Sequence, residues 1–232
     1  MKVVILSDIH ANSAALGSLR EEYDELWVLG DLVDYGPNPC EVVDFVRSKA
    51  SVVVRGNHDH AVAFGEDPRC SARFREMAEQ TQLLCERLLS RKQKQYLGKL
   101  PLHAVVERDR KRVYLCHAVP SDPLFTYCPE DSDRWPVECA RVRADVLLVG
   151  HTHIPFIRKL GDCLLVNPGS VGQPKNGNPA MSYAVWENGK IELRSHAYPV
   201  EKTVSQIRSL PLSGSVQRGL IDVLRTGFAP SC

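Results

Sequence analysis

The chain has 232 residues, 44% of them hydrophobic, which is enough for one sizeable core, and we expect a single domain over residues 1–232. Its 29 Lys and Arg nearly balance 28 Asp and Glu, which argues against a protein held to nucleic acid or to an anionic membrane by net charge. The N-terminal apolar run ends at residue 6, too soon for a signal peptide, and no apolar run approaches ~18 residues, so we expect a cytoplasmic protein without a membrane span.

Five short apolar runs, each rich in Val, Ile or Leu, end abruptly before a polar residue or a glycine. They are residues 2–6, 26–29, 52–54, 113–116 and 146–149. Runs this continuous are typical of strands buried on both faces. Amphipathic stretches at 14–23 and 41–48 lie between the first three runs, and this alternation of strand and helix predicts a layered α/β sheet.

The second half of the chain shows a different pattern. Residues 71–97 are charged with Leu at helical spacing, which predicts one or two helices over the rim of the site. Short β runs at 156–158, 163–166, 181–186 and 191–195 predict a second, mostly antiparallel sheet packed on the first. Residues 202–227 are predicted to form terminal helices, split around Pro211 and Gly214.

Metal-ligand residue types follow each of the five predicted strands. They are Asp8 and His10, then Asp31, then Asn57, then His117, and finally His151 and His153. The carboxyl ends of parallel strands share one edge of a sheet, so we expect these side chains to meet there. Taken singly, each has a plain alternative as a helix-capping Asp, a solvated loop residue or a structural histidine. Together, their mixed oxygen and nitrogen atoms favour Mn²⁺, Fe or Zn²⁺ over Ca²⁺.

Five motifs together resemble the calcineurin-like metallophosphoesterase superfamily: Asp8-Ile-His10, Gly30-Asp31, Gly56-Asn-His-Asp59, His117 and Gly150-His-Thr-His153. Within that superfamily, segments 30–37 and 167–174 are similar to the small bacterial and archaeal phosphodiesterases. The resemblance implies an α/β fold, a four-layer α/β/β/α sandwich of two packed mixed sheets.

The resemblance also implies roles for residues. One metal would be held by Asp8, His10 and His153, the other by Asn57, His117 and His151, and Asp31 would bridge them. The ions would be two divalent transition metals, Mn²⁺ foremost, with Fe or Zn²⁺ as alternatives, and a metal-bridging hydroxide would attack phosphorus. His58 would stabilise the developing charge or protonate the leaving group, and Asp34 would orient its imidazole.

Two departures from the family's protein phosphatases bear on the substrate. Those enzymes carry Arg after the equivalent of Asp34 and Glu after Asn-His, whereas this chain has Tyr35 and Asp59. The expected substrates are therefore small phosphomonoesters or phosphodiesters, nucleotides of the cyclic or diadenosine polyphosphate class. A serine/threonine-type protein phosphatase, a nuclease and a non-catalytic metal-binding scaffold are the alternatives, and the near-neutral charge argues against nucleic acid. The sequence leaves open whether the protein forms a homo-oligomer.

Three further features have both a functional and a structural interpretation. Arg55 could bind substrate phosphate or form a salt bridge at a strand end. Loop 167–174 could offer backbone N–H groups to a phosphate, or be only a tight turn. The aromatic residues Phe125, Tyr127 and Trp135 could stack on a base, although core packing is the favoured interpretation.

Overall fold

Residues 1–229 are described by a computed structural model, in which they form ten strands and eight helices. The strands are β1 (Lys2–Leu6), β2 (Glu25–Val28), β3 (Val52–Val53), β4 (His103–Arg108), β5 (Lys111–Cys116), β6 (Val146–Leu148), β7 (Phe156–Leu160), β8 (Cys163–Asn167), β9 (Met181–Glu187) and β10 (Lys190–His196). The helices are α1 (Ser13–Leu16), α2 (Pro39–Lys49), α3 (Asn57–Phe64), α4 (Ala72–Leu88), α5 (Arg91–Lys99), α6 (Trp135–Val142), α7 (Val200–Arg208) and α8 (Gly214–Thr226). Among them, none is long and apolar enough to cross a bilayer.

The strands form two mixed sheets of five. The first has the order β10-β9-β1-β2-β3, with β1, β2 and β3 parallel and β9 antiparallel to β1. The second has the order β4-β5-β6-β8-β7, with β5, β6 and β8 parallel. The second sheet therefore has parallel strands at its centre and an antiparallel strand at each edge. In the first sheet the parallel strands run from the centre to one edge, and the antiparallel hairpin β9–β10 forms the other side.

Alternate residues of β1 explain how the layers stack. Val3 and Ile5 point into a core shared with Val113 and Leu115 of the second sheet, so this core lies between the two sheets. Val4 belongs with Leu6 to a separate core built with α1, α2 and α5. A further core joins the outer face of the second sheet to α6. The predicted four-layer α/β/β/α sandwich is confirmed.

The assignment of strands to sheets differs from the prediction. β9 pairs with β1, so the β9–β10 hairpin extends the first sheet, and the predicted strands at 113–116 and 146–149 lie in the second. A strand buried on both faces has the same apolar pattern in either sheet, so the sequence does not show which one it joins.

Helix boundaries were predicted well where the apolar spacing is regular. Helices α2, α4, α5, α7 and α8 match the predicted stretches. The stretch predicted at 14–23 is helical only over Ser13–Leu16. Just after this helix, the Ser18 hydroxyl donates a hydrogen bond to the Ala14 carbonyl, a side-chain bond that competes with continuation of the helix. Helices α3 and α6 and strand β4 were not predicted.

Candidate metal centre

The seven predicted ligands meet at one place, where strand ends of both sheets converge. Asp8 and His10 follow β1, Asp31 follows β2, Asn57 begins α3, His117 follows β5, and His151 and His153 follow β6. All are buried except His151, which is partly exposed. The expectation that a single sheet edge carries them is corrected, because His117, His151 and His153 come from the second sheet.

The first ligand group consists of Asp8, His10, Asp31 and His153, whose ligand atoms all lie within 4.8 Å of one another. The Nε2 atom of His153 lies 3.3 Å from Asp8 Oδ1 and 3.2 Å from His10 Nε2. The Nε2 atom of His10 lies 3.7 Å from Asp31 Oδ2. Two imidazole nitrogens facing each other between two carboxylates form a ready donor set for a cation.

The second ligand group consists of Asp31, His117 and His151. The Nε2 atom of His117 lies 3.2 Å from Asp31 Oδ2, 3.2 Å from His151 Nδ1 and 3.0 Å from the amide oxygen of Asn57. Asn57 therefore adds a neutral oxygen to this group. Asp31 is the residue common to both groups, and the same oxygen, Oδ2, faces a histidine of each.

Backbone carbonyls fix the orientation of three of the histidine rings. The Nδ1 atoms of His10, His117 and His153 lie 2.9, 2.8 and 2.6 Å from the carbonyl oxygens of Val33, Leu29 and Gln173. Each Nδ1 is therefore protonated, and Nε2 presents its lone pair in His10 and His153. Burial lowers the pKa of His117, but the charge of Asp31 and its hydrogen bond outweigh burial and raise the pKa to about 9, so Nε2 of His117 must lose a proton before it can bind a cation. Outer hydrogen bonds of this kind set the tautomer of metal-binding histidines.

Most of the ligands occupy left-handed backbone, which is rare outside glycine. The φ angles are 52° at Asp8, 45° at His10, 55° at Asp31, 66° at His151 and 61° at His153. Each such residue costs about 1–3 kcal/mol and persists only where the surroundings hold it. The chain thus turns sharply at each strand end, which directs several ligands from one loop into the same space.

These residues fit a cation. Oδ1 of Asp8 is buried without a hydrogen-bond partner, and burial raises the pKa of this carboxyl group to about 6. Burial lowers the pKa values of His10 and His153 well below that of free imidazole, so both rings are neutral and can donate their lone pairs. A buried carboxylate oxygen facing neutral imidazoles is stabilised by a metal ion, because unpaired buried charge is otherwise costly.

Asp59 supports the site from behind, a role that the sequence did not reveal. Its Oδ2 accepts hydrogen bonds from the backbone N–H groups of Asp31, at 2.8 Å, and of Gly56, at 3.0 Å, and its Oδ1 accepts one from Leu32 N–H at 2.8 Å. Its position at the third residue of α3 is that of a capping carboxylate, which was the available signal. Asp59 thereby ties the start of α3 to the turn that carries Asp31.

Loop 167–174 also holds the ligands in place. The backbone N–H of Val171 donates to the Ser7 carbonyl and that of Gly172 to the Asp8 carbonyl, each at 3.0 Å, while the Gln173 carbonyl fixes His153. Because protein carbonyls already occupy these N–H groups, the geometry favours the structural interpretation of this loop over phosphate binding.

His58 and Asp34 meet beside the ligands. His58 Nδ1 lies 2.7 Å from Asp34 Oδ2, and both side chains are buried. His58 Nε2 lies 3.3 Å from the thiol of Cys70, which is in turn 3.2 Å from the Tyr35 hydroxyl. Burial lowers the pKa of His58, but the charges of Cys70 and Asp31 and the Asp34 hydrogen bond outweigh it, so the pKa is raised well above its usual value.

A cleft of about 340 Å³ opens over the ligands. Phe125 and Tyr127 line it, and Tyr127 is 56% exposed, whereas Trp135 is buried against Phe156. Core packing was therefore the correct interpretation for Trp135 alone. Lys175, which the sequence did not single out, also lines the cleft, and burial lowers its pKa to about 8.

The structure does not support substrate binding by Arg55. Its guanidinium donates to the Gly98 carbonyl at 2.7 Å and lies 5.2 Å from the ring centroid of Phe64. The residues that line the cleft do not include it. Arg55 instead joins α3 to α5, through a carbonyl and a ring rather than through the salt bridge considered from the sequence.

Comparisons with known proteins show the family to which the chain is similar. Residues 1–190 match the family model described as the calcineurin-like phosphoesterase superfamily domain. An uncharacterised protein of Methanocaldococcus jannaschii is 30% identical over 228 residues, which cover 88% of this chain and 91% of the relative. Phosphodiesterase YfcE of Escherichia coli is 28% identical over 208 residues, covering 83% and 91%. The crystal structure of a metallophosphoesterase from Sphaerobacter thermophilus superposes on this chain with a TM-score of 0.83 at 28% sequence identity. The superposition covers 98% of this chain and 99% of the Sphaerobacter chain.

Proposed function

The chain belongs to the calcineurin-like phosphoesterase superfamily and is a phosphoester hydrolase, and from this premise we propose that it is a dinuclear enzyme acting on small phosphoesters, nucleotides above all. One observation carries the proposal. Two ligand groups share the single carboxylate of Asp31, so the residues provide for two adjacent ions rather than one.

The donor set defines the ions to be expected. Asp8, His10 and His153 would hold one ion, Asn57, His117 and His151 would hold the other, and Asp31 would contact both. This mixture of carboxylate, amide and imidazole donors suits Mn²⁺, with Fe or Zn²⁺ as alternatives. When bound, two such ions polarise the phosphoryl oxygens and lower the pKa of a water molecule that attacks phosphorus.

His58 is the residue placed to assist the leaving group. Asp34 holds its Nδ1, which directs Nε2 towards the cleft that the substrate would enter. From there His58 would give a proton to the departing oxygen or stabilise its charge. Asp34 would act through His58, by fixing the orientation of the ring, as a positioning residue.

The surroundings of His58 favour small esters over phosphoproteins. Tyr35 is buried, with its ring centroid 4.8 Å from those of both His10 and His58. An aromatic ring at position 35 supplies no guanidinium at the place where the protein phosphatases carry one, and the arginines that line the cleft, Arg69 and Arg73, come from a different segment. The cleft has the volume of a small-molecule site, about 300–1,000 Å³ in proteins generally, and its aromatic rim suits a base.

The test combines metal analysis with a substrate screen. Protein purified with Mn²⁺ should retain two ions after dialysis, by elemental analysis, and should hydrolyse bis-p-nitrophenyl phosphate. The screen would compare cyclic nucleotides, dinucleoside polyphosphates, phosphopeptides and short DNA. If metal-loaded protein hydrolyses none of these esters, the chain is a metal-binding scaffold and the proposal is wrong. Preference for phosphopeptides would instead make it a protein phosphatase.

A further inference from the structure

Three cationic side chains line the cleft over the metal centre. Lys175, Arg69 and Arg73 all line it, whereas the carboxylate among its described lining residues is the ligand Asp31. A single phosphoryl group held at the metal centre would leave these cations unused. Their presence in a cleft of about 340 Å³ indicates that the substrate carries additional negative charge beside the ester that is cleaved.

Lys175 is the strongest of these features. The contacts of its ammonium group within residues 1–229 are His153 Nε2, at 3.3 Å, and the ring of Phe74, at 4.1 Å from the centroid. Neither contact is a carboxylate. His153 Nε2 also faces Asp8 and His10 as a donor of the first ligand group, and its one lone pair cannot serve both a metal ion and Lys175. With a metal ion on His153, this partly buried ammonium group keeps no hydrogen-bond acceptor among residues 1–229, although the charges of Asp8, Cys70 and Asp31 act on it, and it is available to an anion in the cleft.

Arg69 reaches the same cleft from a different loop. It lies in the segment between α3 and α4, in left-handed backbone with φ 57°, and its guanidinium sits 4.1 Å from the ring centroid of Phe125. Stacking on a ring face leaves the edge of the guanidinium, with its N–H donors, free for the forked hydrogen bonds that phosphate accepts. Two cations from separate loops thus line the same cleft as the metal centre.

We propose that Lys175 and Arg69 form a subsite for a second phosphate group adjacent to the scissile one, so that the substrates are nucleotides with a pyrophosphate or polyphosphate linkage. This inference rests on the proposed function and selects among its nucleotide classes, since a cyclic nucleotide has no second phosphate. Hydrolysis would add the oxygen of water to the attacked phosphorus and break its bond to the bridging oxygen. The leaving phosphate would keep the electron pair, and Lys175 would stabilise its charge.

Binding gives the first test, without turnover. Calorimetry with α,β-methylene-ADP would compare the wild type with Lys175→Gln, Arg69→Gln and the exposed control Lys202→Gln. The Lys175 variant should bind at least tenfold more weakly, the Arg69 variant several-fold more weakly, and the control unchanged. Lys175→Arg should restore binding, which separates lost charge from a disturbed His153. Equal affinity of the wild type for AMP and α,β-methylene-ADP would overturn the subsite.

Kinetics gives the second test and distinguishes the two proposals. The kcat/KM for diadenosine tetraphosphate divided by that for bis-p-nitrophenyl phosphate should fall at least tenfold in Lys175→Gln. An unchanged ratio would refute the subsite while leaving the hydrolase intact. If the wild type hydrolyses neither compound, the proposed function fails, and the calorimetric result alone decides whether the second-phosphate subsite exists.

Discussion

Replacing Asp31 with Asn tests the two-ion arrangement, because this carboxylate is shared. Its Oδ2 lies 3.2 Å from His117 Nε2 and 3.7 Å from His10 Nε2. At a separation of ~4 Å and an effective dielectric constant of ~20, one pair of unit charges attracts by about 4 kcal/mol. That is roughly a thousandfold in binding constant for each ion. Asp31→Asn should therefore weaken both ions together and abolish hydrolysis.

Asp8→Asn is the matched control, since Asp8 belongs to the first ligand group only. After dialysis against buffered Mn²⁺ and elemental analysis, it should lose one ion and keep the other, whereas Asp31→Asn should lose both. An asparagine oxygen can still accept the hydrogen bond that His58 N–H gives Asp31 Oδ1 at 3.0 Å, so the metal-free fold should be retained by circular dichroism. An Asp31→Asn protein that keeps one ion at wild-type affinity would refute the shared carboxylate.

Four other substitutions distinguish residues proposed to act in hydrolysis from residues that support the structure of the site. His58→Ala should reduce kcat by ~10²-fold or more with metal content retained, and Asp34→Asn should reduce it by at least about tenfold; an unaltered rate in either would remove its role. Arg55→Gln should leave KM for bis-p-nitrophenyl phosphate unchanged. It should lower the free energy of unfolding, measured in urea, by about 1 kcal/mol, because the guanidinium donates a hydrogen bond to a backbone carbonyl. Gly56→Ala should impair metal binding, since its Cβ would overlap the Asp31 carboxylate, and normal metal content would contradict this.

The sequence was sufficient to predict which side chains meet at the candidate site because their positions follow a simple rule. A buried strand can be recognised in the sequence as an apolar run, and the residue that follows a parallel strand lies at the carboxyl edge of the sheet. That rule placed Asp8, Asp31 and His117 correctly without knowledge of which sheet each strand joins. The error in sheet assignment did not affect the predicted site, because the carboxyl ends of β2 and β5 converge although these strands belong to different sheets.

Residues on irregular segments were not accessible in the same way. Cys70 and Lys175 approach the site from loops, and their proximity to His58 and His153 depends on the tertiary path of the chain. No periodicity marks such residues. Asp59 was seen as part of a motif, but two of its three hydrogen bonds, those from the N–H groups of Asp31 and Leu32, depend on the closeness of α3 to the turn after β2.

Hydrogen bonds between the turns that carry the predicted ligands explain why the site should exist before metal binds, although several of these residues have left-handed backbone. The turns after β1 and β2 are joined directly: Asp8 N–H donates to Gly30 O at 3.1 Å, and His10 N–H donates to Asp31 O at 2.9 Å. The carbonyl of Asp8 in turn accepts from Gly172 N–H at 3.0 Å. Hydrogen bonds of this kind offset backbone strain of about 1–3 kcal/mol per residue without any ion. The ligands are therefore held by the protein itself, so loss of metal should abolish hydrolysis while the two sheets and their strand ends keep their arrangement.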